Sequence, residues 1–145
     1  MAKSNLAVFA KDPETASAVA IQPYELIGAQ SLADGEPLNT VLLMSAGEEG
    51  ALVTSLFALA RGTNTATQAS IFIRKSSDPA TKRTLMGSVA VTPQSITGTT
   101  QINRHLFDLA SDAAPLRLGP GDELYFGIAT GQSHGVVAHA IYTDF

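Results

Sequence analysis

Between residues 51 and 91 the chain reads as three apolar runs parted by polar, turn-forming stretches. ALVTSLFALA at 51–60 is followed by RGTNTATQ, then ASIFIRK at 69–75, SSDPATKR, and TLMGSVAV at 84–91. Short runs with this alternation and these connections predict an antiparallel sheet, and hence an all-β domain. The 51–60 run is apolar on both parities, as expected of a central strand covered on both faces. In 69–75, Ala69, Ile71 and Ile73 share one face, while Ser70, Phe72 and Arg74 share the other. In 84–91, Leu85, Val89 and Val91 share a face with Gly87. A glycine inside a strand signals a bulge or a close backbone approach.

The flanking segments extend the pattern. Residues 40–44 read as a strand and 46–50 (AGEEG) as a turn. The stretch 92–114 is ambiguous in period. Its Ile102, Leu106, Leu109 and Ala110 recur at three-to-four spacing, which predicts one or two helical turns within QINRHLFDLASD. Leu116-Arg117-Leu118 leads into GPGDE, where Pro120-Gly121 suits the centre of a type II turn. In 123–130, Leu124, Phe126 and Ile128 alternate against Tyr125, Gly127 and Ala129. The turn GQSHG then precedes a last strand at 136–143. Seven or eight strands in one domain predict an antiparallel two-sheet sandwich, jelly-roll-like in type.

Residues 1–38 differ from the rest. Strand-like pieces at 5–10 and 16–21 are separated by Asp12-Pro13, Gln22-Pro23 and SLADGEP, and prolines at 13, 23 and 37 forbid a long regular element. We read this region as an extended N-terminal arm lying along a surface, ahead of a sandwich domain at 39–145. Its Leu6, Val8, Phe9, Ile21, Tyr24, Leu26 and Ile27 are too many for a free tail. They require burial, on the chain's own sheet or on a neighbour's.

Composition narrows the function. At 145 residues one well-formed core is feasible. A hydrophobic fraction of 45% with 15% charged residues excludes general disorder. The net charge of −4 gives none of the basic footprint that direct nucleic-acid binding needs. Arg74, Lys75, Lys82 and Arg83 nonetheless converge at the ends of one predicted hairpin loop. They form either a solvated tip that discourages edge aggregation or a contact for an acidic partner surface. There are no cysteines, so neither disulfides nor thiolate metal sites are open to the chain. The apolar stretch before Lys11 is too short for a secretory signal, and no run is long enough to span a bilayer, so the expectation is a soluble protein made in the cytoplasm with no membrane partner.

Reactive chemistry is sparse. His134 and His139 are five apart, which puts them on opposite faces of a strand, and no cysteine or His-x-His supports a metal site. Ser133-His134 are sequence neighbours, the wrong relation for a nucleophile and its base, and no glycine-flanked elbow is present. Asp108, Asp112, Asp122 and Glu123 could offer a carboxylate pair only through a separation in space that sequence does not supply. No phosphate loop, dinucleotide fingerprint or EF-hand occurs. The residues therefore predict no enzyme, no catalytic residue, no metal and no cofactor. A sugar-binding module would draw on Tyr24, Tyr125 and Tyr142, with no tryptophan to help.

The succession ALVTSLFALARGTNTATQASIFIRK, GSVAV, LRLGPGDELYFGIATG and VVAHAIYTDF resembles a group of small tailed-phage virion proteins. The matching pieces are 70–73, 87–91, 116–124 and 137–145, within roughly 40–145; residues 1–38 are not covered. The resemblance implies a capsid decoration (cement) protein or related virion structural component, a β-sandwich that is frequently trimeric. Its implied partner is the major capsid protein, its place the capsid surface of the virion, and its action the bridging of capsid subunits. On that reading the arm and the basic loop are the candidate partner contacts, and removing residues 1–35 should leave a folded domain that no longer binds particles. The alternative is a phage tail, baseplate or head-fibre component that binds a receptor or glycan.

Overall fold

The computed structural model describes residues 13–28 and 30–145. Among these, nine strands and no helix form two antiparallel sheets packed face to face. The strands are β1 (Glu14–Ala20), β2 (Val41–Ser45), β3 (Ala51–Ala60), β4 (Thr67–Arg74), β5 (Thr84–Val91), β6 (Arg104–Leu106), β7 (Leu116–Leu118), β8 (Glu123–Ile128) and β9 (Val136–Asp144). One sheet has the order β1-β9-β3-β6, with short β7 also pairing to β3, and the other has the order β2-β8-β4-β5. The pairs β4–β5, β3–β6, β2–β8 and β1–β9 are nested about the 75–83 loop. This is the arrangement of one long hairpin wrapped into a jelly roll, so the protein is an all-β jelly-roll sandwich.

The core lies between the sheets. Ala51, Val53, Leu56, Ala58, Val136, Ala138 and Ala140 from one sheet meet Ala69, Ile71, Leu124, Phe126 and Ile128 from the other, all fully buried. Small alanines on β3 and β9 leave space for the aromatic and branched residues opposite, which lets the layers interdigitate at close-packed density. Pro120 and Gly121 form the expected turn: Gly121 has φ +73° and the Asp122 N–H donates to the Gly119 carbonyl at 3.2 Å.

Several elements depart from the sequence reading. The predicted helical turns near 102–110 are absent. Arg104, His105 and Leu106 instead pair with Leu59, Ala58 and Phe57, and the residue driven inward is Phe107, 2% exposed. A three-to-four spacing over a brief run is outweighed by the edge of β3, which offers backbone partners and a core slot for one ring. The strand covered on both faces is β4, where Phe72 is as buried as Ile71; β3 is fully buried on its inner parity only. In β5 the pairing jumps from Ile71–Gly87 to Phe72–Leu85, so Met86 is an extra residue. The bulge puts Leu85 on the face opposite Gly87, Val89 and Val91, correcting the shared face expected of them. Gly87 is also a close approach, since a Cβ there would lie 3.1 Å from Leu109 Cδ2.

The segment expected as an arm is, in its described part, built into the sandwich. β1 pairs with β9 over all seven of its residues, from Glu14–Tyr142 to Ala20–Val136. Residues 23–28 and 30–40 then fold over the outward face of the β2-β8-β4-β5 sheet. The Tyr24 N–H donates to the Ile128 carbonyl at 2.9 Å, and the Tyr24 ring meets Phe72 edge-on at 6.0 Å. The N–H groups of Arg83 and Leu85 donate to the Gly35 and Ala33 carbonyls. Asn39, at φ 64°, turns the chain into β2 while its Nδ2 donates to the Pro23 carbonyl at 3.0 Å. Leu6, Val8 and Phe9 lie outside the described residues.

A variant lacking residues 1–35 loses β1 and uncovers Phe72, which reverses the expectation of a folded truncated domain. We expect no cooperative thermal transition and ready aggregation. A sharp melt within a few degrees of the intact chain would show that β1 and the 23–35 cover are dispensable.

Candidate functional site

The basic loop is mostly satisfied from within. Arg74 Nη1 donates to Glu123 Oε1 at 2.8 Å, and its Nε and Nη2 donate to the Pro79 and Asp78 carbonyls. The Arg83 guanidinium lies 3.5 Å over the Tyr125 ring and donates to the Ala80 and Lys82 carbonyls and to Thr40 Oγ1. Burial lowers the Arg83 pKa and raises that of Tyr125. The Lys75 ammonium, itself largely exposed, donates to Asp122 Oδ2 at 3.0 Å. Lys82 is half-buried beside them. Arg74 and Arg83 do converge, as the hairpin predicted, and what they clamp is the loop onto β8.

Asp122 anchors that clamp and is 3% exposed. Its carboxylate accepts from Lys75 Nζ, the Ser76 N–H at 3.2 Å and the Gly119 N–H at 2.9 Å. Burial pushes its pKa up, but the Lys75 bond and the two backbone donors outweigh it and hold the group below the usual range.

The histidines are kept apart. His105 pairs with Ala58 and His139 with Phe57, so the two project from opposite faces of one sheet. Burial lowers the His105 pKa. The His139 ring packs on Phe57 at 5.1 Å, and His134 sits in the β8–β9 turn. Among the described residues no group of three or more His, Asp or Glu is placed to hold a metal. Asp108 and Asp112 border a depression of about 490 Å³ with Thr54, Ser55, Phe107 and Ile141. The Tyr142 hydroxyl donates to Glu14 Oε2 at 2.9 Å, and burial with that carboxylate pushes its pKa up to about 12.

The larger feature is an apolar face that sequence reasoning did not single out. Pairing register places Leu52, Phe57, Leu59, Val137, His139, Ile141, Val19 and Leu106 together on the outward side of the β1-β9-β3-β6 sheet. Most are half-buried, Val19 is exposed, and Leu106 is 56% exposed. Arg104 lies over Phe57 at 4.8 Å. The signal in the sequence was the double-parity apolar content of 51–60 and 136–142, which marks two faces needing cover. Of the arm residues, Tyr24 is half-buried on Phe72, whereas Ile21, Leu26 and Ile27 are exposed.

No protein-family model and no curated protein matches the chain. Among solved structures, it is similar to Eiger TNF from S. frugiperda, at 11% identity over 93% of this chain and 96% of that one, with a TM-score of 0.41. A likeness of that size assigns neither a role nor a lineage.

Replacing Asp122 with alanine strands three donors and should cost about 1.5–3 kcal/mol near neutral pH. The folded carboxylate titrates below its unfolded value of about 3.9, so its contribution is complete above that pH and fades as pH falls through the lower folded value. The gap in unfolding free energy between the native chain and Asp122→Ala should therefore narrow below about pH 4. A gap unchanged down to pH 2 would mean that the carboxylate charge contributes nothing.

Proposed function

We propose that this protein is a non-enzymatic structural subunit, a capsid decoration protein that associates with copies of itself and binds the outer surface of a phage head. The observation that carries the reading is the unequal treatment of the two outward sheet faces. On the β2-β8-β4-β5 face the chain between Pro23 and Thr40 buries Phe72 and leaves Leu42 exposed at the β2 edge, while the β1-β9-β3-β6 face leaves Phe57, Leu59, Val137 and Ile141 half-buried and Leu106 exposed. Apolar side chains left half-buried in this way favour burial against another polypeptide, at roughly 25 cal/mol per Å² removed from water as an upper bound. The ionisable groups support the same reading, because Arg74, Lys75, Arg83, Asp122 and Glu123 are used to fasten the loop and the turn. The phage assignment itself rests on the resemblance of the strand succession over residues 40–145. A trimer is the assembly we favour, with the major capsid protein as its partner.

The alternative of a tail or fibre component differs in stoichiometry. Quantitative mass spectrometry of purified particles should find the protein in numbers comparable to the capsid subunits. A copy number matching a tail or baseplate component would overturn the decoration role.

A further inference from the structure

We propose that the side of the sandwich where β1 and β2 form the two free strand edges receives residues 3–11 of a second copy of this chain, laid alongside β1. Three observations lead there, and none depends on the capsid role.

The first is the edge itself. Among the described residues β1 ends one sheet and β2 ends the other, and the two strands pack against each other, so both edges lie on the same side. Pro13 and Glu14 stand at the start of β1, but the six residues that follow, Thr-Ala-Ser-Ala-Val-Ala at 15–20, carry no charge, proline or bulge to discourage a further strand. Natural edges are normally blunted by such devices, and an unblunted one is a template for strand addition.

The second is the surface beside it. Val19, Ile21, Asn39 and Val41 line a depression of about 340 Å³ between the edges. Val19, Ile21, Leu38 and Leu42 are all exposed, Ile21 at 49% and Leu38 at 47%. Leu26 and Ile27 stand exposed on the stretch that leads away from it.

The third is charge. From Pro13 to Ala60 the chain has no Lys or Arg and carries Glu14, Glu25, Asp34, Glu36, Glu48 and Glu49. Glu25 stands directly opposite Leu38 in a β-bridge, at the margin of the apolar patch. The complementary chemistry is an apolar run flanked by cations, and the chain contains one. Residues 3–11 read Lys-Ser-Asn-Leu-Ala-Val-Phe-Ala-Lys. Nine residues reach about 30 Å when extended, enough to follow the roughly 23 Å of a seven-residue strand.

A second copy is favoured over the same chain by the junction. Pro13 fixes φ near −65° and biases the residue before it to extended backbone. A tight reversal onto the chain's own β1 needs positive φ in the turn, which Lys11-Asp12-Pro13 is poorly suited to supply.

The absence of cysteine makes the test direct. Full-length Val8→Cys and Leu38→Cys chains, carrying different tags, are mixed and air-oxidised. We expect a mixed disulfide, in yield several-fold above that of Val8→Cys with Ala113→Cys, an exposed position used as the control. Adding Ile21→Asn and Leu42→Asn to the Leu38→Cys chain should lower that yield several-fold while leaving its thermal midpoint unchanged. Lys3→Glu with Lys11→Glu should lower it most at low salt. Equal yields at Leu38 and Ala113 would overturn the proposal. So would a Val8→Cys/Leu38→Cys double variant that closes only within single chains at every concentration.

Discussion

The Phe72 ring points away from the core of its own sandwich and is still fully buried, which sets what residues 23–40 have to do. A strand with apolar residues on both faces has to be covered twice. On β4 the inner cover is the opposite sheet, and the outer cover is the chain from Pro23 to Thr40, tied by Tyr24 against Phe72 and by backbone bonds to Ile128, Arg83 and Leu85. Arg83 over Tyr125, and Arg74 and Lys75 on Glu123 and Asp122, then fasten the loop at the end of the same sheet. The charges nearest to a conventional site are consumed in holding that layer down.

The other sheet has the same need and a different answer. β3 and β9 carry apolar residues on both parities, yet the outward set is only half-buried. Leu52, Phe57, Leu59, Val137 and Ile141 share that face with Thr15, Ser17, Ser55, His139 and Thr143, and Arg104 lies over Phe57. The two outward faces are thus covered by the chain itself to different extents, Phe72 completely and Leu106 hardly at all. The association proposed at the β1/β2 side is separate in place and in composition. One surface is a flat apolar sheet, and the other is a pair of strand edges rimmed by carboxylates.

How legible was this from residues alone? The strands at 51–60, 69–75, 84–91, 123–130 and 136–143 were evident because their alternation is local and their turns carry Gly, Pro and Asn. The Pro120-Gly121 turn was legible for the same reason. What failed was non-local. β6 exists only because β3 offers an edge, and nothing in Arg104-His105-Leu106 announces it. Leu85 changed faces through a single extra residue opposite β4, which Gly87 hinted at without fixing its position. The 16–21 candidate became β1 by pairing with β9, more than a hundred residues away. The candidate contacts fared unevenly for the same reason: Tyr24 is spent on Phe72 and Arg83 on Tyr125, while Ile21, Leu26 and Ile27 stay exposed.

The central claim is that the outward face of the β1-β9-β3-β6 sheet is built to be covered by another copy of this polypeptide. Sedimentation equilibrium of the full-length protein tests it most directly. The account requires a defined oligomer, several times 15.1 kDa, that Phe57→Asp dissociates to monomer without unfolding it. A native chain that sediments as a 15.1 kDa monomer at every concentration would contradict it.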